Sequence, residues 1–184
     1  MLDYFKIINR YYKPGTRTYK IYVVHVTLVT NKALQIARRL NLSEAEQEFI
    51  EEAAMLHDIG VCQTNSPKMD CNGKGAYITH GVQGAEMLRQ AGLEKHALVA
   101  ERHVGVGLTK HEIEERHLPL PAQDFIPQTL AEQIITYADL FFSKREKTLW
   151  IEDTPEQIEA ELSSFGEDQV AVFRRWREQF EAKR

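Results

Sequence analysis

Ala53-Ala54-Met55-Leu56-His57-Asp58-Ile59-Gly60 is an apolar helical stripe that runs straight into two side chains able to ligate a metal. Ile50, Ala53, Ala54 and His57 recur at steps of three or four, so His57 shares the inward face of its helix. Ser43 with Glu46 has the form of a capping box that opens this helix, and Gly60 is the expected stop. A core helix that finishes in His-Asp is chemically unusual, because a buried carboxylate is costly unless it is paired or metal-bound.

Outward from this stretch the chain reads as helix after helix. Residues 1–12 form a short one, ended by Lys13-Pro14-Gly15-Thr16, and a long one covers about 18–40 with Tyr22, His25, Val29, Ala33, Ile36 and Leu40 on one face. Residues 61–78, rich in Asn, Gly and Pro, read as a long loop. Thr79 is placed to cap a helix from His80 to about Gln90, and a further helix runs from about Glu94 to His103. Thr109 with Glu112 opens a short helix, Pro119, Pro121 and Pro127 mark an extended connection, and Thr129 with Glu132 opens a helix to about Lys144. Thr154-Pro155 opens another, and a last amphipathic helix carries Val170, Phe173, Trp176 and Phe180. No run alternates well enough to be read as a strand. The fold class is all-α.

His25, His80, His103 and Asp139 stand with His57 and Asp58 as donors in apolar helical settings. Imidazole with carboxylate suits Fe, Mn, Zn, Ni or Co better than Ca, and the lack of Cys argues against a purely structural zinc site. A lone inward histidine is also the mark of a hydrogen-bonded core residue, and a lone Asp caps or pairs with Arg. The residues by themselves leave these readings open.

Bulk properties set limits. With 184 residues, 43% hydrophobic and 27% charged, the chain has the composition of one globular domain. A net charge of −4 without a basic run speaks against a general nucleic-acid surface. No apolar stretch approaches the roughly 20 residues that span a bilayer, and the N-terminus has no signal-peptide core. Cys62 and Cys71 have no metal-type spacing and read as reduced cytoplasmic thiols, with Cys71 accessible in its loop.

His25 … His57-Asp58 … Asp139 resembles the signature of the HD superfamily of metal-dependent phosphohydrolases, and His57-Asp58-Ile59-Gly60 matches its HDIG form. Thr79-His80-Gly81-Val82-Gln83-Gly84-Ala85-Glu86 and Glu101-Arg102-His103-Val104-Gly105 are similar to a subgroup with two extra histidines. The resemblance covers about residues 20–145, and from His80 to Asp139 it is to small, largely uncharacterised HDIG-domain proteins of prokaryotes. It implies a single-domain HD-type helical bundle over 1–184, with a core at about 20–145, a C-terminal helical extension at 154–184 and a metal site between helices. It implies that His25, His57, Asp58 and Asp139 hold one divalent ion, and that Asp58 bridges to a second ion held by His80 and His103. Asp58 is then the catalytic carboxylate, and the substrate is a nucleotide or another small phosphate ester.

Two departures narrow the expectation. Val61 follows the HDIG stretch where relatives that cleave cyclic dinucleotides carry Lys, and Val104 follows His103 where they have a second His. Cleavage of cyclic dinucleotides is therefore not expected. A di-iron oxygenase of a small organic substrate uses a similar ligand set in a few HD proteins and is the alternative. A non-enzymatic nucleotide or metal sensor is a third reading, disfavoured by the intact ligand set. Arg102, Lys68, Lys74 and Lys144 are the candidate phosphate contacts, with Arg102 favoured because it adjoins His103. His96, His111 and His117 read as surface residues, and Trp150 with Trp176 as packing. The last helix covers the bundle or forms a contact in a homo-oligomer.

Overall fold

The computed structural model describes residues 2–181, and these build an almost wholly helical fold. Asp3 caps α1 (Tyr4–Tyr11), Thr16 caps α2 (Arg17–Arg39), and the Ser43–Glu46 box starts α3 (Glu44–Leu56). These hydroxyl and carboxylate oxygens take up amide protons that the first helical turn leaves unpaired. Next come α4 (His80–Gln90), α5 (Glu94–Arg102), α6 (Lys110–Glu115), α7 (Leu130–Asp139), α8 (Pro155–Ser163) and α9 (Glu167–Glu181). The box expected at Thr109–Glu112 is formed, and Thr154 with Gln157 forms a further one at the expected start of α8. No helix among the described residues is long and apolar enough to cross a membrane.

Helix α2 is the central strut. Its buried stripe, including Val29, Ala33, Ile36 and Ala37, meets Ile50, Ala53 and Ala54 of α3 and Ile134, Ile135 and Ala138 of α7. Phe173, Trp176 and Phe180 of α9 close this core from one side, so the C-terminal helix covers the bundle. A second apolar cluster joins α1 (Ile7, Ile8) and Tyr12 to Met55, Leu56, Ile59 and Leu88. Helix α4 lies along α5 and along the short 3-10 turn Ile59–Gln63 that follows α3.

Several local expectations are corrected. The 61–78 loop contains a minimal antiparallel hairpin, β1 (Asn65–Ser66) with β2 (Cys71–Asn72). Cys71 is buried rather than accessible, packed with Ile21, Val61, Met69 and Leu149. Thr79 does not cap α4; it ends a 3-10 turn, Tyr77–Thr79, and its hydroxyl donates to the Ala76 carbonyl. Gly60 is not a helix stop: a Cβ there would stand 2.2 Å from the His80 carbonyl oxygen and 2.3 Å from the Gly84 amide nitrogen. Its role is to let the turn after α3 touch α4 backbone to backbone. Helix α7 ends at Asp139, five residues before Lys144, because the Asp153 amide donates to the Phe141 carbonyl and Phe142 pairs with Glu152. At its other end the Glu132 carboxylate accepts from Gln128 N and Thr129 Oγ1 and also from Arg102. Trp150 is exposed, unlike Trp176.

Candidate metal centre

Five elements bring the six predicted donors together. His25 sits midway along α2, His57 and Asp58 just past the end of α3, His80 at the start of α4, His103 just past α5, and Asp139 at the last residue of α7. Helix ends suit the task. Their last carbonyls lack intrahelical partners, and imidazoles use them here. His57 Nδ1 lies 2.6 Å from the Ala54 carbonyl oxygen and His103 Nδ1 2.7 Å from that of Ala100. His80 Nδ1, just past the 3-10 turn Tyr77–Thr79, lies 2.6 Å from the Tyr77 carbonyl oxygen that opens that turn. A carbonyl only accepts, so each Nδ1 carries the proton and each Nε2 lone pair points inward.

The inward atoms form two groups that share Asp58. His25, His57, Asp58 and Asp139 each offer one ligand atom within 4.8 Å of the others, and so do Asp58, His80 and His103. His25 Nε2 is 3.1 Å from Asp58 Oδ2 and 2.9 Å from Asp139 Oδ1, and His57 Nε2 is 3.5 and 3.3 Å from the same two oxygens. Asp58 Oδ1 faces the other way, 3.3 Å from His80 Nε2 and 3.5 Å from His103 Nε2. The two carboxylate oxygens of Asp58 thus serve different groups.

The residues fit a divalent cation. His25 Nε2, His57 Nε2, Asp58 Oδ1 and Asp139 Oδ1 are buried without an aligned hydrogen-bond partner among the described residues, and Asp58 Oδ2 has the Lys144 ammonium 2.6 Å away. Such atoms cost free energy unless something satisfies them. His80 Nε2 and His103 Nε2 stand 3.0 Å apart although both Nδ1 atoms already hold the proton. Two facing lone pairs at that distance need a cation. Donors of this kind suit a transition metal.

Electrostatics point the same way. Burial opposes ionisation of Asp58 and Asp139, but the Lys144 ammonium and the neighbouring imidazoles hold both carboxyls well below the usual range. Burial pushes His80 down to about 3, so its imidazole is neutral at physiological pH, the form that metal binding requires. The Lys144 amine, although buried, is held up by Asp58, Tyr77 and Asp139. Its Nζ lies 2.6 Å from Asp58 Oδ2.

The four candidate phosphate contacts separate. Lys144 is at the centre, brought there because α7 ends early. Arg102 turns away and pairs with Glu132 at 3.1 Å. Lys68 and Lys74 are exposed in the 61–78 segment. Of the remaining histidines, His111 and His117 are exposed as expected, whereas His96 is buried, 3.3 Å from Glu52 Oε2 and edge-on to Phe49. Charged neighbours in sequence concealed it, since Glu52 arrives from α3. Sequence reasoning missed Tyr77, whose ring lies 4.7 Å from that of His80. The signal for it was its place three residues before a histidine at a helix start.

Comparison with known proteins adds the following. The family model described as HD domain matches residues 22–142. An uncharacterized protein of Methanocaldococcus jannaschii is 38% identical over 145 residues, covering 76% of each chain. A protein of Thermoplasma volcanium named tRNA (cytidine(56)-2'-O)-methyltransferase is 33% identical over 133 residues, 72% of this chain but 34% of that protein. One of the same name from Picrophilus torridus is 31% identical over 116 residues, 62% of this chain and 29% of that protein. Among solved structures, the HD domain of the L. monocytogenes phosphodiesterase PgpH superposes with a TM-score of 0.56 at 17% identity, covering 95% of this chain and 94% of that one. At that identity the likeness is one of fold.

Proposed function

The chain belongs to the HD-domain family, and from that premise we propose that it is a metal-dependent phosphohydrolase acting on a nucleotide or another small phosphate ester. The observation that carries the reading is the split of Asp58: its two buried oxygens face two different donor groups. We take this as a centre in which His25, His57, Asp58 and Asp139 would hold one divalent ion, of Fe, Mn, Ni, Co or Zn type, and Asp58, His80 and His103 would hold a second.

A divalent ion held there supplies Lewis acidity for phosphoryl oxygens and makes hydroxide available near neutral pH. The chain's own groups do the rest. His57, His80 and His103 are fixed in one tautomer by their carbonyl partners, so no ring has to reorient before binding. Burial of the ligand set strengthens every charge interaction inside it. Lys144 brings the positive charge that a phosphate requires. The donors are imidazoles and carboxylates, so the nucleophile is water and not a side chain. The naming of two relatives as tRNA methyltransferases, in which this domain is about a third of the length, makes nucleotides the first substrates to screen. The two free thiols accord with a reducing, cytoplasmic setting.

The test is a panel of aryl phosphates and nucleotides with added Mn2+, Co2+, Ni2+ or Fe2+. At least one ester is expected to turn over, and His103→Ala is expected to lower the rate far more than His111→Ala, whose side chain is 84% exposed. Equal losses would break the ligand map. No hydrolysis of any ester, with oxygen consumed on a small organic substrate instead, would move the centre to the di-iron oxygenase.

A further inference from the structure

The centre is closed on most sides. His25, His57, Asp58, His80 and His103 side chains are 5% exposed or less. The open edge is made by Asp139 at 16%, Lys144 at 14% and Tyr77 at 43% exposure. A substrate therefore reaches the donors past these three residues. Asp139 is an anion and repels phosphate. The other two are donors.

Tyr77 is held at that edge from two directions. Its carbonyl takes the His80 Nδ1 proton at 2.6 Å, and its ring leans on the same imidazole at 4.7 Å with 31° between planes. One face of the ring is thus covered while much of the residue meets solvent. Its ring stands beside His80, close enough to the buried charges that Lys144, Asp58 and Asp139 are all felt at its hydroxyl. Lys144 has Asp58 as its partner at 2.6 Å. A cation bound by Asp58 and Asp139 claims that same negative charge and leaves the buried ammonium unmatched. Buried unmatched charge is costly, so the loaded centre calls for an anion beside Lys144.

We propose that Lys144 and Tyr77 together form the receptor for a terminal phosphate at this edge, which fits the centre to phosphate monoesters in preference to diesters. The inference rests on the hydrolase reading and narrows it. Oxygen counting carries the choice of class. Lys144 claims one non-ester oxygen by charge and Tyr77 a second by its phenol proton. At least one more must face the buried His and Asp donors for the phosphorus to be within reach of their ions. A monoester offers three such oxygens. A diester offers two, and must leave either the edge or the donor groups unserved. Tyr77 acts as a neutral donor and Lys144 as a charged one, so the loss of either weakens the grip on a monoester by a different amount.

The experiment is calorimetry on the full chain loaded with Mn2+, using methyl phosphate and dimethyl phosphate as probes. Wild type is expected to prefer methyl phosphate by at least about tenfold. Tyr77→Phe, which keeps the ring, is expected to weaken methyl phosphate about threefold to tenfold, and Lys144→Met about tenfold or more, with smaller effects on dimethyl phosphate. Lys144→Arg keeps charge and donors and should retain the preference, which separates loss of the contact from loss of the fold. Mn2+ content, measured before each titration, must match wild type. Equal affinity for the two esters in wild type would overturn the proposal, as would an undiminished preference in both Tyr77→Phe and Lys144→Met. Turnover reports on the underlying reading separately. Ester cleavage with no preference between the probes sinks the receptor alone. A clear preference with no ester ever cleaved sinks the hydrolase alone.

Discussion

Helix α7 carries two regions built on opposite terms. Along its length Ile135, Tyr137 and Ala138 join an aromatic core in which Tyr137 stacks on Phe173 at 5.4 Å and meets Phe141 and Phe180 edge-on. One residue later Asp139 enters the donor cluster, where inward atoms lack partners. The aromatic region is self-sufficient: apolar contact stabilises it, and the one polar tip, Tyr137 Oη, is 2.8 Å from Glu181. The donor cluster is incomplete by itself. Stability and chemistry are thus held a single residue apart, with Tyr137 and Asp139 on different faces of the same helix. What holds the fold together is the packing, and what the donors cost in the metal-free chain is borne by that packing.

The comparison is open to attack at both ends. The largest expected effect is on function. Asp58→Ala removes the carboxylate shared by both groups, so bound metal falls to background and turnover drops on the order of a thousandfold or more. Elemental analysis and a rate assay check this, and metal retained at either group in full would remove the shared role. Next is Phe173→Ala, which opens a cavity in the aromatic region and is expected to cost about 3 to 5 kcal/mol of stability. Denaturant unfolding measures the loss, while Mn2+ bound per folded molecule should stay at the wild-type value. A coupled loss of metal would mean that the two regions are not separable.

Chelation probes the centre without mutation. Free ion at about a hundredfold its Kd adds about 2.7 kcal/mol by mass action, which for a chain of this size lifts the melting midpoint by about 5 to 10 °C. Verified removal of metal that leaves the melt unchanged would count against a site linking several helices. The smallest effect is on pH dependence. Burial pushes His80 down to about 3 in the folded metal-free chain, whereas the unfolded chain takes up that proton near pH 6.5. Between these values the unfolded state binds more protons, so stability falls as pH drops from about 6.5 toward about 3. Asp58 and Asp139, held low when folded, add their own loss only below the ordinary carboxylate range. The upper part of the window, above about pH 4.5, therefore reports His80 together with His96, whose imidazole is also pushed down by burial. His80→Asn should make that part of a melt-versus-pH series less steep, and Phe173→Ala should not.

Much of this was present in the chain as a string. Caps are local chemistry: Ser43 with Glu46 and Thr109 with Glu112 mark helix starts because the bonds they form span three residues. The stripes of α2 and α3 are local too, and they aim His25 and His57 inward. His-Asp at the end of an apolar stripe, with His25, His80, His103 and Asp139 in helical settings, named the donor set before any contact was known. What eluded the string was every choice made by distant partners. Glu52 draws His96 into a buried contact. Gly84 and the His80 carbonyl make Gly60 a point of backbone contact and not a helix end. Glu152 and Asp153 end α7 at Asp139, and only that early end swings Lys144 back to Asp58, while Glu132 takes Arg102 away from the site that its sequence neighbour suggested. Most helices and most caps are legible in the string, because propensity and periodicity act within a few residues; Thr79, which caps nothing, is an exception. The open edge of the centre, with Tyr77 and Lys144 on it, was decided only by the tertiary structure, because it depends on where loops far apart in the chain come to rest.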